Sequence, residues 1–351
     1  MTGRATQLDG LRALALLGVA WFHWTPPAWQ GGLPWPVGIY YFFALSGYLI
    51  TGGLLRDRER SESAGGGWRG AALKRFLWRR GLRILAPYYA ALLLGCLFRA
   101  KDLAAAPLWY VLHLSNWHMA LAGWADFTSH FWTLAVQQQF YVVWPFLIWW
   151  VPRRWLLPAL LAVAAMGPAT RALTPWLAQW FVEPGIVTPA QLDFLALGAV
   201  LAVAERRGLS LTHPGLRWAG MLGVGGFAAC YALRQGGLEG PWGYPLELLL
   251  LAVGCCGLIA AAVPGFGGWR GSLLNHPVLQ YIGKLSYSLY LLHNFAPVMD
   301  WVLCYCQLSW TLTGAGLLIR LPVLALFSWG LAWLSWRYIE VPMGRLAAEK
   351  R

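Results

Sequence analysis

This chain has little acid and little charge of any kind. Only 14 of its 351 residues are Asp or Glu, and the four charged types together make up 12%. A soluble domain of ordinary composition carries about a quarter charged residues, so a water-surrounded globular enzyme is excluded. Cysteine is sparse too. Cys96, Cys230, Cys255, Cys256, Cys304 and Cys306 form no Cys-x-x-Cys pair and no zinc-type spacing. Buried thiols are the expectation, with no metal and no bound cofactor implied. The alternating apolar and polar pattern of an outer-membrane barrel is missing. No internal repeat is visible, which weighs against an inverted-repeat transporter. No basic folded domain is present, so nucleic acid has no face to bind.

What the chain does have is apolar length. Hydrophobic residues make up 58% of it, with 24 Trp. About ten stretches are long enough to cross hydrocarbon, within residues 8–26, 37–55, 81–98, 131–150, 155–171, 189–204, 215–233, 244–263, 285–306 and 314–336. The fold class is therefore all-α, a polytopic transmembrane helical bundle forming one integral membrane domain over residues 1–351. Residues 103–120 are apolar but carry His113, Asn116 and His118, and read as a short re-entrant or interfacial segment. The first stretch follows Arg4, but Trp21, Phe22 and His23 stand where a signal peptide needs small residues. It is expected to stay on the protein. Gly3 is third, not second, which removes N-myristoylation.

The formal net charge is +13. With the N-terminus inside, Arg56 to Arg83, Arg153-Arg154, Arg206-Arg207, Arg270, Arg345 and Lys350-Arg351 fall on the cytoplasmic side. The other side keeps Arg99, Lys101, Arg171 and Arg234. The positive-inside rule then sets both termini in the cytoplasm, in a multi-pass protein of a bacterial inner membrane. Residues 56–80 read as a basic, Gly-rich cytoplasmic loop, with Ser61 to Gly67 as its flexible linker.

Arg12 and His23 are eleven residues apart in the first stretch. Eleven helical steps are about three turns, so the two share one face, about 16 Å apart along the axis. Ionisable groups in a membrane helix are costly and mark functional candidates. Asp9 is placed to pair with Arg12. Arg80 and Arg83 lie three apart at the start of the third span, and guanidinium forks suit phosphate or an anionic lipid headgroup. Gln137, Gln138 and Gln139 enter the fourth span and need a protein or wet environment. Ser286, Tyr290 and His293 fall on one face by helical spacing. Asp193 is the clearest acid near the outer end of a span.

These runs together resemble the acyltransferase-3 family of integral membrane acyltransferases. Leu8 to Ala13 with His23, Tyr41 to Ile50, Arg80 to Arg83, Ser115-Asn116-Trp117, Trp132 to Tyr141, Tyr287 to His293, and Ile339 to Pro342 follow the family's motifs in order. The resemblance implies transfer of an acyl group, usually acetyl, from cytoplasmic acyl-CoA to a hydroxyl, commonly on a sugar of an exported glycan. It makes His23 the catalytic histidine, and Arg12, Arg80 and Arg83 the residues that engage the CoA phosphates. His23 would act as general base or as an acyl carrier. Ser46 or Asn116 would stabilise the oxyanion, and Tyr287 and His293 fall in the same oxyanion or acceptor group. Trp29, Trp35 and Trp124 are candidates for stacking on sugar. The family usually has an acid where this chain has Gln137, and Gln cannot exchange a proton. Either Asp193 is the substitute, or the position only positions substrate and Gln suffices. The chain also has the look of a stand-alone member without a hydrolase-like extension. A transporter or flippase for a lipid-linked sugar or acyl donor is the alternative reading, and it would consume no acetyl-CoA.

Overall fold

The computed structural model of the chain describes residues 6–62, 67–238, 240, 242–308, 312 and 314–349. Gly3, Arg4, residues 63–66 of the expected linker, Lys350 and Arg351 lie outside the described residues. Among the described residues the regular structure is helical throughout, without strands. The principal helices are α1 (Thr6–Trp24), α2 (Gly38–Glu62), α3 (Trp68–Leu97), α4 (Ser115–Ala122), α5 (Phe131–Trp150), α6 (Arg153–Ala172) and α7 (Leu192–Arg206). They continue as α8 (Pro214–Gln235), α9 (Gly243–Ala262), α10 (Pro277–Leu292), α11 (Val298–Tyr305), α12 (Leu317–Ser335) and α13 (Val341–Glu349). Six stretches are long and apolar enough to cross a membrane: Trp35–Glu62, Arg153–Ala172, Thr188–Arg206, Pro214–Gln235, Gly243–Ala262 and Gly314–Ala347.

The bundle centres on α2, which packs against α1, α5, α7 and α9. Its approach to α7 is backbone against backbone. Gly47 faces the Leu195 carbonyl and Gly198 faces the Ala44 carbonyl, and a Cβ at either position would overlap its neighbour. Small residues allow such approaches between membrane helices, where dispersion contacts replace the hydrophobic effect as the cohesive force. On its other side α1 packs against α10, and α10 packs against α12.

Four expectations change in detail. Residues 56–80 are mostly helix, since α2 runs to Glu62 and α3 begins at Trp68. Their arginines do structural work: buried Arg58 donates Nη1 to the carbonyls of Ile148 (2.6 Å) and Val151 (2.8 Å) at the end of α5. A cation there satisfies carbonyls that a helix end leaves unpaired. The stretch 285–306 breaks in two. α10 stops at Leu292, His293–Phe295 form a 3-10 turn, and α11 starts at Val298. Pro297 has no amide hydrogen and its ring crowds the carbonyl of His293 four residues back, which weakens the helix at the point where it breaks. Residues 101–122 form three short helices, Lys101–Ala105, Pro107–Val111 and Ser115–Ala122, interrupted at Pro107 and at His113, whose φ is 55°. Of the six free cysteines only Cys255 is buried, while Cys96, Cys304 and Cys306 are exposed. Helix faces turned to lipid tolerate a thiol as readily as the core does.

Ion pairs gather the basic residues at one end of the bundle. Arg79 meets Asp57 (3.4 Å), Arg153 meets Glu62 (2.7 Å) and Arg206 meets Glu59 (3.1 Å), which ties α3, α6 and α7 to the end of α2.

Candidate active site

A cavity of about 660 Å³ opens between α1, α2, α3, α5, α10 and the turn before α13. Six cationic side chains line it: Arg12, Arg56, Arg79, Arg80, Arg83 and Lys284, against the two acids Asp57 and Glu340. Like charges are driven together here by the packing of four helices. A polyanion would relieve that repulsion, and phosphate suits guanidinium forks best. Arg12 is held by Asp9 at 3.3 Å, as the i,i+3 spacing implied. Arg80 lies over the ring of Tyr141 at 4.7 Å, and its Nε is buried without a partner. Tyr141 in turn meets Ser46 Oγ at 3.4 Å, and Gln137 donates to the same Oγ at 3.5 Å. Arg12, Arg80, Arg83, Ser46, Gln137 and Tyr287 therefore share one cavity. The Tyr287 hydroxyl is spent on the Ile84 carbonyl (2.8 Å).

The cavity runs inward to Phe42, Thr133 and Tyr290. The Tyr290 hydroxyl and Thr133 Oγ1 are hydrogen-bonded at 2.7 Å. Beyond Tyr290 stand three histidines. His293 is 5.1 Å from His23 and 4.9 Å from His130, centroid to centroid. Tyr290 itself lies 5.5 Å from His293 and 5.9 Å from His130. His130 and His293 are buried and His23 is half-buried. The end of α1 is pinned beside them. The Trp24 indole donates to the His293 carbonyl (3.1 Å). Arg320 donates to the Trp24 carbonyl and makes a fork to Asp300 at 2.7 and 2.8 Å.

Neither His23 nor His293 lines the cavity, since both stand beyond Tyr290, and two further expected site residues go elsewhere. Asp193 is fully buried against Arg171, which donates to both carboxylate oxygens and to the Ala190 carbonyl. The pair joins α6 to α7, and no described contact links it to His23. Gly167 leaves room for the carboxylate. Asn116 is also buried. It accepts from Gln139 (2.9 Å) and donates to Thr188 Oγ1 (3.0 Å) and to the Ile186 carbonyl (3.4 Å). That network pins α4 to α5 and to the 184–191 turns, and it occupies the amide on both sides.

The structure adds residues that no site assignment from sequence contained. His130 sits in the run leading into α5, and an imidazole at the start of an apolar span was the available signal. Glu340 closes a π-helical turn, Trp336–Glu340. Such turns occur often at functional positions. Glu340 lines the cavity and accepts from Ser288. Ser286 lines it too, with its hydroxyl unpartnered. Among the described residues no cluster of His, Cys, Asp and Glu could hold a metal ion.

Apolar helices around an internal cavity lined by six cationic side chains define an integral membrane protein. The chain belongs to the acyltransferase-3 family, matching its acyltransferase domain over residues 6–338. It is 27% identical to a Staphylococcus aureus protein described as O-acetyltransferase OatA, over 96% of this chain and 56% of that relative. It is 28% identical to a Listeria monocytogenes protein described as peptidoglycan O-acetyltransferase OatA, over 96% of this chain and 55% of that relative. The chain thus spans little more than half the length of these relatives. No solved structure matches it.

Proposed function

We propose that this chain is a membrane O-acetyltransferase that moves an acetyl group from cytoplasmic acetyl-CoA to a hydroxyl of an exported glycan. One observation carries the reading: six cations line a single cavity that ends at Tyr290, whose ring touches the histidine cluster. The names of the two relatives, both O-acetyltransferases, support the reaction class, and one of them names peptidoglycan.

In this reading Arg12, Arg80 and Arg83 hold the CoA phosphates through charge-assisted hydrogen bonds. The pantetheine arm runs along α1 toward Tyr290 and His23. Neutral His23 takes the proton of the acceptor hydroxyl as its oxygen attacks the thioester carbonyl. A C–O bond forms, the C–S bond breaks, and the CoA thiolate leaves with the proton from His23. Ser46, joined to Gln137 and Tyr141, donates to the oxyanion in this scheme. Gln137 positions Ser46 in this scheme and exchanges no proton.

The topology proposed with it is ten spans with both termini in the cytoplasm, in a bacterial inner membrane. The ion pairs that gather Arg79, Arg153 and Arg206 at one end of the bundle support that side as cytoplasmic. Purified protein in liposomes, given labelled acetyl-CoA and a glycan acceptor, tests the reaction. Label should appear on the glycan, and His23→Ala should abolish it. Full transfer by His23→Ala would remove the histidine from the chemistry. A protein that neither binds nor consumes acetyl-CoA would be the transporter of the alternative reading.

A further inference from the structure

His130 and His293 carry a pattern of hydrogen bonds that fixes their protons. A backbone carbonyl can only accept, so the ring nitrogen facing it bears the hydrogen. His293 Nδ1 is 2.7 Å from the Tyr290 carbonyl, and His130 Nε2 is 2.9 Å from the Leu291 carbonyl. Burial, with no acid among the described residues beside the rings, favours their neutral form, in which the other nitrogen is a lone pair. Those nitrogens, His293 Nε2 and His130 Nδ1, are buried and have no partner. An unpartnered buried acceptor is costly and calls for a donor. Among the described residues, two donor-capable rings outside this pair lie against His293, those of His23 and Tyr290. The Tyr290 hydroxyl is already engaged with Thr133 Oγ1 at 2.7 Å, which leaves His23. Two imidazoles joined by one N–H···N bond have centroids about 5 Å apart; His23 and His293 are 5.1 Å apart but meet edge-on at 60°, with the bond itself not formed in this state.

We infer that His293 is the positioning residue for His23. Its Nε2 accepts a hydrogen bond from one ring N–H of His23. That choice leaves the other His23 nitrogen as a lone pair aimed at the acceptor hydroxyl. A base whose tautomer is set by a third group is the general logic of an activated nucleophile. Such bonds are often slack before substrate binds and tighten in the reacting complex. When His23 takes the hydroxyl proton, the imidazolium keeps its hydrogen bond to His293, and its new proton goes on to the departing thiolate. His130 packs on His293 and holds that ring in place. The family's usual acid is Gln137 in this chain, and Gln137 faces Ser46. His293 thus supplies the orientation that an acid would otherwise supply. The inference rests on His23 being the base.

The test compares His293→Leu, His293→Gln and His293→Asn in the purified full chain, with transfer from labelled acetyl-CoA as the readout. Gln places an amide oxygen near the ε position, whereas Asn places its amide at the δ position. His293→Leu should lower kcat about a hundredfold, with KM for acetyl-CoA changed by less than about twofold. His293→Gln should recover kcat to within about tenfold of the parent, and His293→Asn should not. Equal kcat for the Gln and Asn variants would overturn the inference, as would full kcat in His293→Leu. Should the Leu variant fail to give a monodisperse protein, the comparison of the two amide variants decides. His23→Ala separates the layers. If it is inactive while His293→Leu is fully active, only the positioning role falls. If it is fully active, the base itself falls.

Discussion

The buried pair between Arg171 and Asp193 offers a sharp test of what an intramembrane acid does here. Both side chains are fully buried, and the guanidinium engages both carboxylate oxygens and the Ala190 carbonyl. Replacing Arg171 with Met strands a carboxylate in the bundle and frees a buried carbonyl. Breaking one partner of a buried pair costs about 3–5 kcal/mol, and the lost carbonyl bond adds about 1 kcal/mol. Asp193→Asn strands the guanidinium, but it keeps the Ala190 carbonyl as a partner, so its cost should fall near the lower end of that range. The double variant Arg171→Met with Asp193→Asn removes both charges. It should be more stable than Arg171→Met alone, with a coupling energy of about 2–3 kcal/mol in the cycle. Unfolding free energies from SDS titration in mixed micelles measure the stabilities. Transfer per folded molecule, measured in parallel, should be preserved in the double variant. Asp193→Asn that keeps full stability yet loses transfer would refute the structural assignment and return Asp193 to the chemistry.

Other outcomes follow from the same contacts. Arg80→Ala and Arg83→Ala should each raise KM for acetyl-CoA about tenfold, the value of one charge-assisted bond, with the effect shrinking at high salt. Arg80→Lys should behave nearly as badly as Ala, since an ammonium cannot reproduce the stacked guanidinium over Tyr141; steady-state kinetics check all three. Asn116→Ala should cost about 2 kcal/mol of stability by freeing Gln139 and Thr188, while transfer per folded molecule holds. Loss of transfer in a stable Asn116→Ala protein would make it an oxyanion donor after all. Gly198→Val should abolish folded protein on size-exclusion chromatography, because the added carbons meet the Ala44 carbonyl.

Much of the site was legible from local spacing. Arg12 and Asp9 pair as their i,i+3 spacing implied, and Arg80 and Arg83 reach the same cavity as Arg12. Ser286 and Tyr290 share the cavity as their helical phase required, but His293 does not join them there. The helix ends one residue earlier, and His293 turns toward His23 and His130. The Arg171 partner of Asp193 was not legible, because a lone acid looks the same on paper whether it faces substrate or an arginine from another helix. The same holds for the network around Asn116. Its partners Thr188 and Ile186 lie far along the chain, so no local pattern announces them.

The sequence by itself determined what depends on nearby residues and on solvent. Apolar length set a membrane bundle of helices, and helical periodicity put Arg12 and His23 on one face, because both follow from 1.5 Å of rise and 3.6 residues per turn. The tertiary structure alone decided which polar groups meet. It brought His23, His130 and His293 from α1, the start of α5 and the break after α10 into ring contact. It sent Asp193 to Arg171, and gathered Arg56, Arg79 and Lys284 around the same cavity as Arg12. A buried donor or charge must find its partner across helices, and that choice is made by packing, where no spacing along one helix can reveal it.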